Sequence, residues 1–437
     1  MSEETRIAKF RLPEWCLYAC VLVAPLRCYG LGSLGWGNFS FFRFFGILMI
    51  LFEIAEMASY RYLKITKSMT SIFLIIGSSI IAAVYSTLLS SSNFSAMLIG
   101  LVWLLFAMAI VSRRPFMIDR LIVIYVISAI LPVFFGLYQY ASYVLIKQLP
   151  PFPLSQFLVS EGKTGLLFQS EVRIMSFFLD PSYYGMFLIS IIIIISCALI
   201  NQEKFGPIKN KAIRILFVIM LFASIISLFT SLSITAFFGL FVGIGIVVLN
   251  SKNRKTIWKM LGLLAILLLL LYIIDKVFNL NFWDTLLWKF EVNTEKHGIT
   301  GGRADHMMNA IEKWLSSPLF GVGFGDLALN GVSFSGHNTL LTVLGQQGLI
   351  GFIIHLYFLF ILPLLYFKRS RKDVYALIAF APLMAVFVQS MGYDLLYKMD
   401  SHFVLMLISF SVFEIAREEG KTKTIKEGNR NERYNTI

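Results

Sequence analysis

Runs of about 20 apolar residues follow one another along nearly the whole of this 437-residue chain, most of them bounded by short basic stretches. That recurrence constrains the fold more than any motif does. Crossing the ~30 Å hydrocarbon core of a bilayer takes roughly 20 mainly apolar residues in a helix, because no water is present there to satisfy exposed backbone groups. Hydrophobic residues make up 57% of the chain and charged residues 14%, more apolar surface than the core of a water-soluble domain of this length absorbs. The sequence therefore predicts an all-α polytopic membrane protein with about twelve transmembrane helices. The predicted spans are 14–31, 38–57, 69–89, 94–112, 119–145, 181–200, 213–231, 234–250, 257–277, 338–367, 375–395 and 402–416.

Lys and Arg are retained on the cytoplasmic side of a membrane, and here they fall on alternate connections. Arg61, Lys64 and Lys67 follow the second span, Arg113, Arg114 and Arg120 the fourth, and Lys368, Arg369, Arg371 and Lys372 the tenth. Both termini are accordingly predicted to be cytoplasmic, and the tail from 417 to 437 is basic. The net charge of +13 is spread over many short loops, which argues against a nucleic-acid surface and for membrane topology. A charged N-terminus precedes the first span, as in a secretory signal. No small-residue cleavage site follows and Arg27 ends the run, so an uncleaved span is expected. Cys16, Cys20, Cys28 and Cys197 lie in or at the ends of spans without CxxC spacing, and packing accounts for them. The chain reads as one membrane domain, 1–437, with two long outer loops at 146–180 and 278–336.

Long ordered loops carry function more often than short ones, so the chemistry is expected on the outer face. The first loop ends in "SEVRIMSFFLDPSYYGMF", where Asp180 and Pro181 signal a helix start and Arg173 stands just before it. Arg173 is a candidate anion-binding cation or, equally, an arginine snorkelling to the interface. In the second loop an amphipathic helix is expected over Arg303–Ser316, with Met307, Ala310 and Trp314 on one stripe and Arg303 and His306 on another. Such a helix also suits a membrane surface. The stretch "SGHNTLLTVLGQQGLIG" puts His337 just before a helix capped by Asn338, with Gly348 and Gly351 expected to let that helix pack closely on a neighbour. The positive end of a helix dipole disfavours imidazolium, so His337 suits a proton acceptor; hydrogen bonding within the loop is the plainer alternative. Arg43 and Asp394 are the ionisable groups to watch inside spans, although Arg43 also has the option of snorkelling outward. Glu171 and Asp326 are further carboxylates available to an acceptor.

His337-Asn338, nine intervening residues, then Gly348-x-x-Gly351, together with "GGRADHMMNAIEKWLSSPLFGVGFGDL" and "RIMSFFLDPSYYGMF", resemble the bacterial O-antigen ligase and polymerase superfamily. Many members carry Ser-Arg at the outer hairpin between the seventh and eighth spans, whereas this chain has Ser233-Ile234. The resemblance implies an inverting glycosyltransferase of the GT-C type, working without metal or cofactor on an undecaprenyl diphosphate-linked glycan donor in the bacterial cytoplasmic membrane. The acceptor would be another lipid-linked glycan in a polymerase, or lipid A-core in a ligase. A chain-length regulator protein is a possible partner. In that setting His337 would be the general base and Arg303 and Arg173 the cations at the diphosphate, since a guanidinium fork makes paired, charge-assisted bonds to phosphate. His306, Asn338 and Arg43 would bind substrate. No acidic cluster at metal-ligand spacing stands in the outer loops. Two other classes remain open: a lipid-linked oligosaccharide flippase, and a non-catalytic scaffold of an envelope complex.

Overall fold

The computed structural model describes residues 11–26, 29–34, 37–60, 65–85, 91–151, 153, 166–168, 171–178, 180–250, 254–277, 283–284, 287, 304–324, 337–392 and 402–415. Cys28, Glu171's side chain, Arg303, Asp326, Asp394 and the tail 417–437 lie outside the described portion.

Each of the twelve apolar stretches holds a helix. In chain order these are α1 (Leu12–Val23), α2 (Phe41–Tyr60), α3 (Lys67–Val84), α4 (Ser91–Arg113), α5 (Met117–Ser128) running into α6 (Ile130–Ile146), α7 (Pro181–Ile200), α8 (Lys211–Ser231), α9 (Ile234–Asn250) and α10 (Arg254–Val277). The outer-loop helix α11 (Ala304–Ser316) precedes α12 (Thr339–Leu356), which continues through a π-helical turn at Tyr357–Ile361; α13 (Val374–Ser390) and α14 (His402–Ile415) complete the set. Among the described residues, five stretches are long and apolar enough to cross a membrane: Lys67–Val84, Met117–Ile146, Pro181–Ile200, Lys211–Ser231 and Thr339–Ser370. The fold is thus that of an all-α membrane protein. The first helix is shorter than the predicted span 14–31, because Pro25 sits in a 3-10 turn and Gly30 opens a hairpin, β1 (Gly30–Leu34) with β2 (Gly37–Ser40). A second small hairpin pairs β3 (Leu166–Phe168) with β4 (Glu171–Arg173), Leu166 opposite Arg173.

Helix starts follow local chemistry. Thr66, Asp180, Asn210, Asn338 and Asp373 each accept a backbone N–H from the first turn they precede, relieving one of the unpaired amides there. The isoleucine-rich α7 is apolar all round, and all but one of its residues are buried, so it forms the centre of the bundle. Gly239 and Gly243 let α9 lie directly against Ala385 of α13.

Contacts sort the helix ends into two sets. At one end, Tyr29 Oη donates to Pro153 O (2.7 Å), Tyr85 stacks on Phe320 (4.8 Å), Ile174 N donates to Thr230 O (3.1 Å) and Gln389 Nε2 donates to Ser182 O (2.9 Å). At the other, Ser68 N and Oγ donate to Glu414 Oε1 (both 2.7 Å), Arg371 Nε donates to Asn250 Oδ1 (3.3 Å), and α1, α2 and α4 meet in an ionic cluster. Arg114 pairs there with Glu14 (2.8 Å) and Glu56 (2.6 Å), and Arg113 with Glu53. Arg114 is 1% exposed and Glu53 fully buried, so these two arginines are not the solvated loop charges that their sequence position suggests.

Candidate active site

The histidines singled out in the sequence meet. His306 on α11 and His337 ahead of α12 touch edge to face, ring centroids 4.7 Å apart and planes at 78°. His337 adopts φ +45°, the left-handed region that costs a non-glycine residue on the order of 1–2 kcal/mol and persists only where the surroundings over-determine it. Asn338 supplies part of that determination. Its Oδ1 accepts from Leu341 N (3.1 Å), capping α12, and its Nδ2 donates to Met391 O (3.0 Å) at the end of α13. Asn338 therefore acts as a clamp between the start of α12 and the end of α13.

The helix α11 packs on α12 and does not lie apart on a surface. Ala310 is fully buried against Gly345, where a side-chain Cβ would come to 3.0 Å of Ala310 O. Trp314 Nε1 donates to Pro318 O (3.1 Å), tying the end of α11 to the turn that follows it.

That turn, Pro318–Gly323, is inserted into a break in α12. Gly348 takes φ +65°, ψ −165°, a conformation open essentially to glycine alone, and the helix ladder is interrupted there. The released groups are paired with the turn. Leu349 N donates to Pro318 O (2.8 Å) and Ile350 N to Leu319 O (3.4 Å), while Gly345 O accepts from Val322 N (3.0 Å) and Gln346 O from Gly323 N (2.9 Å). Gly348 is thus a helix break that receives a loop, where the sequence suggested only close helix packing. Irregular backbone inside an apolar bundle is tolerated where protein satisfies it, as it does here.

Arg173 is half-buried on β4 at the same end of the bundle. The residues after it are fixed to two helices: Ile174 to Thr230 of α8, and Ser176, at φ +51°, to the buried Gln139 of α6 (3.1 Å) and to Pro132 O (2.6 Å). Asp180 then caps α7 through Ser182 N (2.6 Å), as its sequence predicts. A path of hydrogen bonds runs from α7 through Gln389 of α13 to Met391 and Asn338, so the Arg173 segment and His337 share one frame. Arg43 opens α2, its backbone N donating to Ser40 Oγ (3.2 Å), beside the β1–β2 hairpin and at this same end. Arg303 immediately precedes α11 in sequence and lies outside the described residues.

Sequence reasoning missed Gln346 and Gln347, the two residues before the break. Both are buried, at 6% and 1% exposure, and two adjacent glutamines in the middle of an apolar run were the available signal. It also passed over Glu53 and Glu56, one turn apart in a span and facing Arg113 and Arg114.

No curated protein matches the chain. Residues 215–356, running from α8 through α12 and including both histidines, match a family model described as O-antigen ligase. That family implies a glycosyltransferase-like enzyme with a lipid-linked glycan donor and an acceptor. The His-Asn and Gly-x-x-Gly motifs fall inside that match, so residues 215–356 are similar to the O-antigen ligase and polymerase superfamily, in a chain whose apolar helices are those of a multi-pass membrane protein.

Proposed function

We propose that this protein polymerises undecaprenyl diphosphate-linked oligosaccharide repeat units on the outer face of the bacterial cytoplasmic membrane, by an inverting, metal-independent transfer. Twelve spans with both termini cytoplasmic put the loops 146–180 and 278–336, and with them His337, on that face. The observation that carries the reading is the strained His337 at the positive end of α12, in ring contact with His306 and in one hydrogen-bonded frame with the Arg173 segment.

In the transfer, the acceptor hydroxyl attacks the anomeric carbon of the donor from the face opposite the diphosphate. The new C–O bond forms as the bond to the phosphate oxygen breaks, the hydroxyl proton passes to His337, and the diphosphate leaves as an anion. Negative charge grows on that leaving group, so fixed guanidinium groups at Arg303 and Arg173 favour the transition state over the ground state. His306, Asn338 and Arg43 bind substrate around this centre. A chain-length regulator is the expected protein partner.

Ligation of a finished glycan to lipid A-core or another acceptor is the second reading, favoured by the description of the matching family model. The test uses purified full-length protein in detergent with lipid-linked repeat units. A lengthening ladder without added acceptor marks a polymerase, and a product formed only with lipid A-core marks a ligase. Glycosidic bond formation in detergent also separates both from a flippase, which has nothing to transport there. His337→Ala is expected to lower the rate about 10²- to 10⁴-fold; undiminished activity removes His337 as the base.

A further inference from the structure

The outer half of α12, Thr339 to Gln347, hangs from the rest of the helix by a single glycine. The backbone bonds that would carry the ladder across Gly348 go instead to the Pro318–Gly323 turn. Helix continuity therefore does not fix the tilt of this half; lateral contacts do. Asn338 holds its outer end to Met391 and Gly345 its flank to Ala310. At its inner end stands Gln347, whose Oε1 accepts from the hydroxyls of Ser78 and Ser79 on α3, at 3.4 and 3.3 Å.

Those two hydroxyls also donate to Ile75 O, at 3.0 and 2.7 Å. Each serine has one hydroxyl proton, which is shared between Ile75 O and Gln347 Oε1, so the glutamine oxygen accepts from two donors on α3 at once. Gly351 belongs to the same arrangement, since a Cβ there would collide with the Gln347 side chain. The second glycine of the motif makes room for the glutamine that lies one turn before it.

We propose that Gln347 is a positioning residue, and that its amide clamp on Ser78 and Ser79 sets the tilt of the outer half of α12 and so the place of His337. His337 stands ten positions before Gln347, about 15 Å along the axis at 1.5 Å per residue. A tilt of about 10° at the break moves it by about 2–3 Å over that length. Misplacement by about 1 Å is enough to cost on the order of 10²-fold in rate.

This inference rests on His337 being the base, and the experiment separates the two. Gln347→Met keeps the side-chain volume and removes the amide; Ser78→Ala with Ser79→Ala removes the other side of the clamp. Rates are measured on full-length protein in detergent with the lipid-linked donor, beside His337→Ala. Either clamp variant should lower kcat about 10- to 100-fold with donor KM within about 3-fold. The thermal midpoint should hold, and combining both changes should be no worse than either alone. A kcat within about 5-fold of the parent, additive losses, or losses that track a falling midpoint overturn the positioning role. If His337→Ala stays active, the base assignment falls and the inference with it. If His337→Ala is inactive and Gln347→Met is not impaired, only the inference falls.

Discussion

Replacing Gly348 by alanine tests whether the break in α12 is built in. At φ +65°, ψ −165° an L-residue costs about 1–3 kcal/mol in backbone strain alone. The added Cβ would also come within 3.0 Å of the Leu319 and Phe320 backbone, which cannot swing aside as a flexible side chain would. The chain then has two responses. It tolerates the overlap, at about 1–3 kcal/mol more. Otherwise it expels the turn, exposing up to four backbone pairs at about 0.5–1.5 kcal/mol each, offset in part where the helix ladder re-forms. The first route sums to a loss of about 2–6 kcal/mol and the second has that as its ceiling. Gly77→Ala is the matched control, because a Cβ on that α3 residue meets nothing within 4 Å and alanine is the better helix former. The assay is thermal unfolding of the detergent-solubilised protein, read by a thiol-reactive dye on the buried cysteines. A large drop for Gly348→Ala with none for Gly77→Ala is expected. A Gly348→Ala protein within about 0.5 kcal/mol of the parent refutes the break and the inserted turn together, since ordinary surface changes fall in that range.

Arg114→Met should destabilise by about 3–5 kcal/mol, since it leaves Glu14 and Glu56 buried without their partner; adding Glu56→Gln should restore part of the loss, and an unchanged midpoint would contradict the ionic cluster. Lys276→Ala should leave the midpoint where it is, because both members of the Lys276–Asp284 pair are about half exposed or more, at 48% and 62%. Ala310→Leu should force α11 off α12 at about 1–3 kcal/mol and depress transfer by parting His306 from His337; a fully active variant would show that the two helices do not work as a unit.

What was legible in the sequence was whatever local chemistry decides. Apolar runs predict helices because the bilayer admits little else, and Asp180 and Asn338 announce caps because a cap is settled within three residues. The meeting of His306 with His337 is a tertiary event, created by Ala310 packing on Gly345, and no spacing rule reports it. The same holds for Gly348. Its motif partner, Gly351, lies within one helical turn, but the segment that makes the break possible lies some thirty residues upstream at Pro318. Arg113 and Arg114 looked like ordinary inner-loop charges because Glu14 and Glu53, which neutralise them, sit on other helices. The missing arginine at Ile234 was visible as a departure, and the start of α9 there packs on Gly185 of α7, whose capped end is joined through Gln389 and Met391 to the capped start of α12.

The ionic cluster sets an order on biogenesis. When α2 leaves the ribosome it carries Glu53 and Glu56 toward its inner end, and an acidic residue costs up to about 2.5–3.5 kcal/mol to insert at a membrane helix centre and less toward an end. Their partners on α4 are made some sixty residues later. Until then neither carboxylate has the arginine that pairs with it in the folded chain. The pairing of Glu53 with Arg113 and of Glu56 with Arg114 therefore waits until α4 and the residue after it have been made, and the cluster joining α1, α2 and the end of α4 is among the late contacts of the fold.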